Sequence, residues 1–278
     1  MMDCIFRCPI CKAPLNDTDF ALKCGNSHSF DKAAKGYVHL LPPHKMHTKL
    51  PGDNREMVAA RRRFLDAGFY HPFRQRICAL IADELQNRTA PLLIDAGCGE
   101  GYYTDAIGHT LASICQSPVI CGLDISKLAI KAAANRSRML HLAVASCFEM
   151  PLQNACADVL LNVFAPIVPS EFARVLKPNG MMLLAVASPK HLLGLKQLLY
   201  ETPYLNAHQE TTYPGFTFET RVPIRSHAVL TDKNLIADLF AMTPYYWKTS
   251  IAGSQRLQQT NHLETELGFD LLIYRRQE

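Results

Sequence analysis

The period of apolar positions changes twice along the chain. Residues 1–40 hold no sustained hydrophobic period and are rich in Cys, His, Gly and Pro, so short strands are the most they can form. Residues 41–55, LPPHKMHTKLPGDNR, carry three prolines and again no period, which reads as a linker or loop. From Glu56 a helical pattern begins, with Met57, Ala60, Phe64 and Leu65 as its apolar positions and Gly68 as its stop. HPFRQRICALIADEL predicts a second helix. Strands and helices then alternate. PLLIDAG (91–97), PVICGLDI (118–125), LHLAVAS, ADVLLNVFA and GMMLLAVAS read as strands. Helices are predicted at Thr104 to Ser113, from a Ser126 cap to about Arg136, over SEFARVL, and over PKHLLGLKQLLY. The tail reads as a polar loop (201–214), a strand near 215–225, a helix near 232–241 and a final strand at 268–276. Near-continuous apolar strands between helices predict a mostly parallel sheet covered on both faces, a doubly wound α/β domain.

Composition narrows the function classes only slightly. A chain of 278 residues with 48% hydrophobic and 19% charged residues excludes wholesale disorder. The formal charge of +4 permits a nucleic-acid partner without demanding one. No apolar run approaches the ~20 residues that span a bilayer, and MMDCIFRCPICK lacks a signal-peptide core. Ten cysteines without an export signal predict reduced thiols in a cytoplasmic protein. Cys4, Cys78, Cys98, Cys115, Cys121, Cys147 and Cys156 are scattered in mostly apolar stretches, and most are expected to be buried structural thiols.

The string Asp95-Ala-Gly97-Cys-Gly99-Glu100-Gly101 lies between the first strand of the alternating region and its helix. In an open α/β sheet that turn meets the ligand. Its G-x-G-x-G spacing is not the G-x-G-x-x-G of a pyrophosphate cradle. Asp124 ends the next strand, where a carboxylate can accept both hydroxyl protons of a ribose. Together these residues look like the S-adenosylmethionine pocket of a class I methyltransferase, against the plainer reading of a glycine-rich turn in another nucleotide-binding fold. Glu100 reads either as a cofactor contact or as a partner for the helix dipole.

Cys8-Pro-Ile-Cys11, followed after twelve residues by Cys24-Gly-Asn-Ser-His28, fits the spacing of a tetrahedral zinc site. Four protein ligands close the coordination sphere, so the zinc is expected to be structural, holding a stretch too small to bury its own core. The alternative is four unrelated residues. Cys4 is a spare thiol.

Taken in order, CPxC…CxxxH, FDxAxxGYVxLLP (Phe30 to Pro42), PGD…ARRxFLDAGxYxP (Pro51 to Pro72), DxGCGEGYYT (Asp95 to Thr104), Pro189-Lys190-His191-Leu192 and Met242-Thr243-Pro244 resemble the bacterial 23S rRNA (guanine-N1)-methyltransferase family. The likeness covers nearly the whole chain and is nearest to the Gram-negative branch. It implies a class I methyltransferase domain with a seven-stranded sheet at 56–278, a zinc-binding RNA-recognition module at 1–40 and a linker at 41–55. It implies methyl transfer from S-adenosylmethionine to N1 of a guanine in a hairpin loop of domain II, and a homodimer. Zinc ligands map onto Cys8, Cys11, Cys24 and His28. Cofactor contacts map onto Tyr70, the Gly99–Glu100 pair and His191, beside Asp95, Gly97 and Asp124 from the loop itself. The plainer readings are a capping core aromatic for Tyr70 and a surface histidine at a helix start for His191. Asn162-Val-Phe164-Ala-Pro166 departs from the N/D-P-P-Y signature of amino-group methyltransferases, which suits a ring nitrogen as nucleophile.

No general base stands out. Asn162 and His191 lie near the reacting end by topology, and Asp158 reads as structural. RNA phosphates are expected to meet Arg61, Arg62 and Arg63, unless these pair with acids, together with Lys12, Lys23, Lys32 and Lys35 of the module and His44, Lys45, His47 and Lys49 of the linker. Charge reversal at Arg61 and Arg62 is expected to spare cofactor binding. The rival readings are a small-molecule methyltransferase with a structural zinc module and a zinc-dependent RNA-binding protein without activity.

Overall fold

The structure, a computed structural model, describes residues 4–43, 46, 51–207 and 212–278. His44, Lys45, His47 and Lys49 of the expected linker lie outside these residues.

The apolar strands assemble into one sheet. β5 (Leu92–Ala96) lies at its middle, with β6 (Val119–Asp124) and β7 (His141–Val144) on one side and β8 (Ala157–Val163) and β9 (Leu176–Ala187) on the other. These pairings are parallel. β11 (Leu263–Arg276) then joins β9 antiparallel, and β10 (Phe216–Leu230) pairs antiparallel with β11 at the edge. The expected seven strands are present, and an eighth is added: β4 (Val38–His39) runs parallel to β7. β5 is thus the strand from which the chain winds both ways, and the crevice at its carboxyl end is where such sheets bind ligands.

Helices fall close to their predicted places. α1 (Arg55–Asp66) starts one residue before the pattern suggested, because Asn54 Oδ1 accepts from the Met57 amide at 2.9 Å. α2 spans His71–Leu85, α3 Tyr102–Ile114, α4 Lys127–Arg136 behind its Ser126 cap, α5 Pro169–Val175 and α7 Lys233–Ala241. The helix expected over 189–200 is confined to α6 (Leu193–Leu199). Leu192 sits at φ 57° with its amide on Glu266 O at 2.7 Å, so the segment before it is pinned to β11 and cannot coil. The tail strands are longer than their patterns because β10 and β11 pair antiparallel along nearly their whole length. α8 (Ile251–Gln259) is too polar to show an apolar period; Ser250 caps it and Arg256 ties it to the carbonyls of Leu198 and Leu199.

Within residues 4–40 lies a three-stranded antiparallel sheet of β1 (Leu15–Asp17), β2 (Ala21–Cys24) and β3 (Ser29–Asp31). Phe6, Leu15, Leu22, Val38 and Leu40 share one apolar core with Ile94, Leu123, Leu152 and Leu160 of the large domain. The module is therefore seated on one face of the main sheet, and backbone bonds Arg7 N to Pro151 O (3.0 Å) and Leu40 N to Val144 O (2.9 Å) fix its register. None of the ten cysteines is disulfide-bonded, and Cys98, Cys115, Cys121 and Cys147 are buried. Among the described residues no helix is long and apolar enough to cross a membrane.

Candidate functional site

A cavity of about 630 Å³ opens at the carboxyl ends of β5, β6 and β8. Tyr70, Asp95, Gly97, Gly99, Glu100, Asp124 and His191, all named from the sequence, line it. Its glycine turn is built by close approaches. Gly97 has φ 96°, and a Cβ there would stand 2.3 Å from Ala165 Cβ in the turn after β8. Gly101 has φ 85° and lies against Ala133 of α4, 3.0 Å from where its own Cβ would be. Both positions therefore exclude side chains. Gly99 (φ 55°) differs: a Cβ there would meet nothing nearer than Arg61 Nη1 at 3.9 Å.

Asp124 ties the turn to the next strand. Its Oδ2 accepts from the Gly99 amide at 2.9 Å and its Oδ1 from the Ser126 amide at 2.8 Å. Burial raises this carboxyl above its usual range while the two amides oppose the shift. Each oxygen keeps a lone pair for a hydroxyl. Asp95 is buried, with Oδ2 taken by Thr104 Oγ1 at 2.6 Å and Oδ1 without a partner. Burial pushes this carboxyl to about 7, with the Thr104 bond opposing the shift. Glu100 is only 2% exposed. Its Oε2 meets Arg136 at 2.6 and 3.0 Å, while Oε1 is buried and unpartnered. It is a loop residue held by an ion pair across to α4, not a mere partner of the helix dipole.

Tyr70 is the residue before α2 and is buried edge-on against Phe64 and Phe269, at centroid distances of 5.5 and 4.9 Å. His191 is buried with Nδ1 unpartnered. Burial, with Lys196 nearby, lowers it to about 3, so it is neutral at any physiological pH. Asn162 does not join this cavity: its amide donates to Ala96 O (3.0 Å) and Pro166 O (3.2 Å) and so clamps the end of β5 to the turn after β8. Asp158 is structural, accepting from the Leu92 amide at 2.9 Å and from Lys177 at 2.8 Å.

The arginine run pairs with acids. Arg62 lies 3.6 Å from Asp66 and Arg63 forks onto Asp238 at 2.8 and 2.5 Å. Arg61 binds Asp53 and donates to Met242 O at 3.2 Å. Arg61 and Asp53 both line the cavity. Arg61 Nη1 stands 3.9 Å from where a Cβ on Gly99 would lie, a position at the cavity wall that speaks against the expectation that its reversal would spare cofactor binding. Asp53 was missed because it fell in a stretch read as linker. Yet Gly52 (φ 80°) brings that stretch against Ser126, whose hydroxyl donates to Asp53 O at 2.9 Å. The glycine in PGD was the available signal.

On the module, Sγ of Cys8, Cys11 and Cys24 and a ring nitrogen of His28 all lie within 4.8 Å of one another. Cys11 and Cys24 sulfurs are 3.7 Å apart, and His28 Nδ1 is 3.6 Å from Cys8 Sγ and 3.4 Å from Cys24 Sγ. Tetrahedral bonds of ~2.3 Å to zinc place sulfurs ~3.8 Å apart, so the quartet fits the ion. Two tight turns shape it, with Lys12 and Ser27 both at φ 64°.

Residues 6–49 match the zinc-ribbon family described as RlmA, N-terminal, and residues 92–237 match the family described as Methyltransferase domain. A Bacillus subtilis protein, YxjB, named provisionally as a 23S rRNA (guanine-N(1)-)-methyltransferase, is 30% identical over 97% of this chain and 96% of its own. A Micromonospora griseorubida protein with the same provisional name is 33% identical over 88% of each chain. The chain belongs to the 23S rRNA (guanine-N1)-methyltransferase family. A 23S rRNA (guanine(748)-N(1))-methyltransferase of Streptomyces fradiae is 36% identical over 69% of this chain and 67% of its own. A solved structure of a provisional type II methyltransferase from Anaeromyxobacter dehalogenans shares the fold, with a TM-score of 0.50 at 15% identity over 73% of this chain and 95% of that one. The chain is accordingly an S-adenosylmethionine-dependent rRNA methyltransferase with a structural zinc ribbon, and the Cys/His quartet is the site that fits the zinc.

Proposed function

We propose that this member of the family methylates N1 of a guanine in a hairpin loop of domain II of 23S rRNA. The observation that carries the reading is the match, through both the ribbon and the cavity, to relatives named for guanine-N1 methylation. Within the family we assign the chain to the Gram-negative branch from its sequence motifs. The relatives reported above are Gram-positive proteins, and mapping the methylated guanine decides the branch.

Bound S-adenosylmethionine supplies a methyl group already activated on a sulfonium. The residues around it then orient and exclude water. Asp124 would accept the ribose hydroxyls. Asp95 Oδ1 and Glu100 Oε1, both buried without partners, would face the ligand's positive groups. Arg61 is the sole Arg or Lys among the described residues lining the cavity and would meet a carboxylate. Gly97 and Gly99 keep the turn free of side chains where the ligand lies. The Tyr70 ring faces the cavity, and a ring there attracts a cation. His191 contributes a neutral lone pair, and its low proton affinity removes it as a resting base. Guanine N1 loses its proton before or during transfer, so positioning carries much of the rate.

We assign RNA binding to the module at 1–40 and the linker at 41–55, and catalysis to 56–278 together with Gly52 and Asp53 at the linker's end, which line the cavity. Lys23 and Lys35 are exposed on the module, whereas Lys12 and Lys32 are ion-paired with Glu149 and Asp17. The same reading places the enzyme in the cytoplasm as a homodimer, which light scattering tests. The direct test is primer extension on a domain II hairpin transcript after incubation with the cofactor. N1 methylation blocks base pairing, so a stop beside one guanine is expected. Label transfer without a stop contradicts N1, and transfer only to small molecules contradicts an RNA substrate.

A further inference from the structure

A second cavity, about 580 Å³, adjoins the first and shares Phe164, Ala165 and Ala187 with it. We propose that this second cavity receives the extruded target base, stacked between the rings of Phe164 and Tyr204. The inference rests on the RNA-methylation reading above and names the subsite that would present the purine.

Four observations carry it. A ligand in the second cavity reaches the first across the turn after β8, the same turn against which Gly97 is packed. Two aromatic rings are left open at its walls: Phe164 is 50% exposed and Tyr204 49%. Neither is loose. Phe164 is held at φ 55°, a conformation a bulky side chain rarely adopts, and such strain gathers at ligand sites. Its ring is set among those of Phe269, His191 and Phe73, at centroid distances of 5.8, 6.1 and 6.3 Å.

Tyr204 is fixed from behind. Lys196 is fully buried, has no acidic partner among the described residues, and donates to Tyr204 O at 3.1 Å and Asn206 Oδ1 at 2.6 Å. Its Nζ also sits 4.3 Å from the centroid of the Tyr204 ring. Asn206 in turn donates to Ser188 O (2.8 Å) and His191 O (3.2 Å), which binds the Tyr204 wall to the segment carrying His191. Both aromatic walls are therefore referenced to one buried residue of the cofactor cavity. A nucleobase offers two apolar faces and a polar edge, and aromatic stacking with edge contacts is how proteins hold one taken out of its helix. Asn162, whose amide nitrogen is already held by Ala96 O and Pro166 O, lines this cavity and keeps its Oδ1 to accept from that edge.

Two experiments test the proposal. The first places 6-thioguanine at the methylated position of the hairpin, irradiates its complex with the wild-type protein, and maps the crosslinked peptide. Attachment at Phe164 or within 204–206 is expected; attachment confined to the zinc module overturns the subsite. The second measures steady-state methylation by Phe164→Ala and Tyr204→Ala. Loss of one stacking face lowers kcat/KM for RNA roughly five- to 150-fold, with cofactor Kd unchanged in Tyr204→Ala, whose side chain lies outside the first cavity, and with recovery in Phe164→Tyr and Tyr204→Phe. Unchanged kcat/KM in folded, cofactor-binding alanine variants refutes stacking. A wild-type enzyme that leaves the hairpin unmethylated refutes the RNA reading instead.

Discussion

Gly97→Ala tests the geometry of the cofactor turn most sharply. The glycine sits at φ 96°, and a new Cβ would lie 2.3 Å from Ala165 Cβ. Left-handed backbone costs an alanine about 1–2 kcal/mol. Forcing a methyl into a filled space adds about 1–3 kcal/mol. The sum, about 2–5 kcal/mol, corresponds in a chain of this size to a fall of roughly 4–20 °C in Tm. Gly99→Ala is the matched control. It pays the conformational cost but finds no neighbour within 3.9 Å, and its methyl points beside Arg61 into the cavity. Its Tm should fall less, while cofactor affinity measured by calorimetry should fall about tenfold or more, as when ~1.4 kcal/mol of binding is lost. A Gly97→Ala protein melting with the wild type would falsify the crossing of the two turns. A Gly99→Ala protein with wild-type affinity would show that the ligand lies elsewhere.

Asp95 predicts a pH dependence. Its folded carboxyl stands at about 7 against about 4 unfolded, so the folded chain holds a proton the unfolded chain has released, and this contribution to stability is lost as pH rises from about 4 to about 7. A cationic ligand must displace that proton, so cofactor affinity should rise with pH up to about 7, and Asp95→Asn should flatten the curve. Arg136→Ala strands the buried Glu100 carboxylate, at a cost of about 3–5 kcal/mol in thermal or urea unfolding. Adding Glu100→Gln should restore much of it; no recovery would mean the ion pair is not the source. Removing zinc with a chelator should release one ion per chain, measured with a metallochromic dye. Because Leu15 and Leu22 share a core with Ile94 and Leu160, it should also lower Tm. RNA methylation should be lost while cofactor binding persists, and loss of both together would mean the module supports the cavity directly.

What the sequence disclosed follows from local physics. The strands from Leu92 to Ala187 are apolar runs, and Ser126 and Asn54 are side-chain caps, so their elements could be placed from the chain alone. The glycine string and the Cys/His spacing each encode a short loop, and the residues named for each lie together in the structure. The features that escaped depend on distant contacts. Arg61 looked like a surface cation until Asp53 and Met242 O, brought by other segments, drew it into the cavity. Phe164 and Tyr204 are separated by forty residues and share a wall only through the β8 turn and the Lys196–Asn206 bonds. β4 joined the large sheet although it belongs to a stretch with no strand period, because its pairing is with β7 and not with a sequence neighbour.

The central claim, methyl transfer to guanine N1, is tested most directly by digesting the reacted hairpin RNA to nucleosides and identifying the methylated product by mass spectrometry against standards. The account predicts 1-methylguanosine as the single new nucleoside, formed at one position and absent with Asp124→Ala enzyme. Methylation at N2, at N7 or on a ribose, or an unmodified RNA with active cofactor turnover on a small molecule, would contradict it.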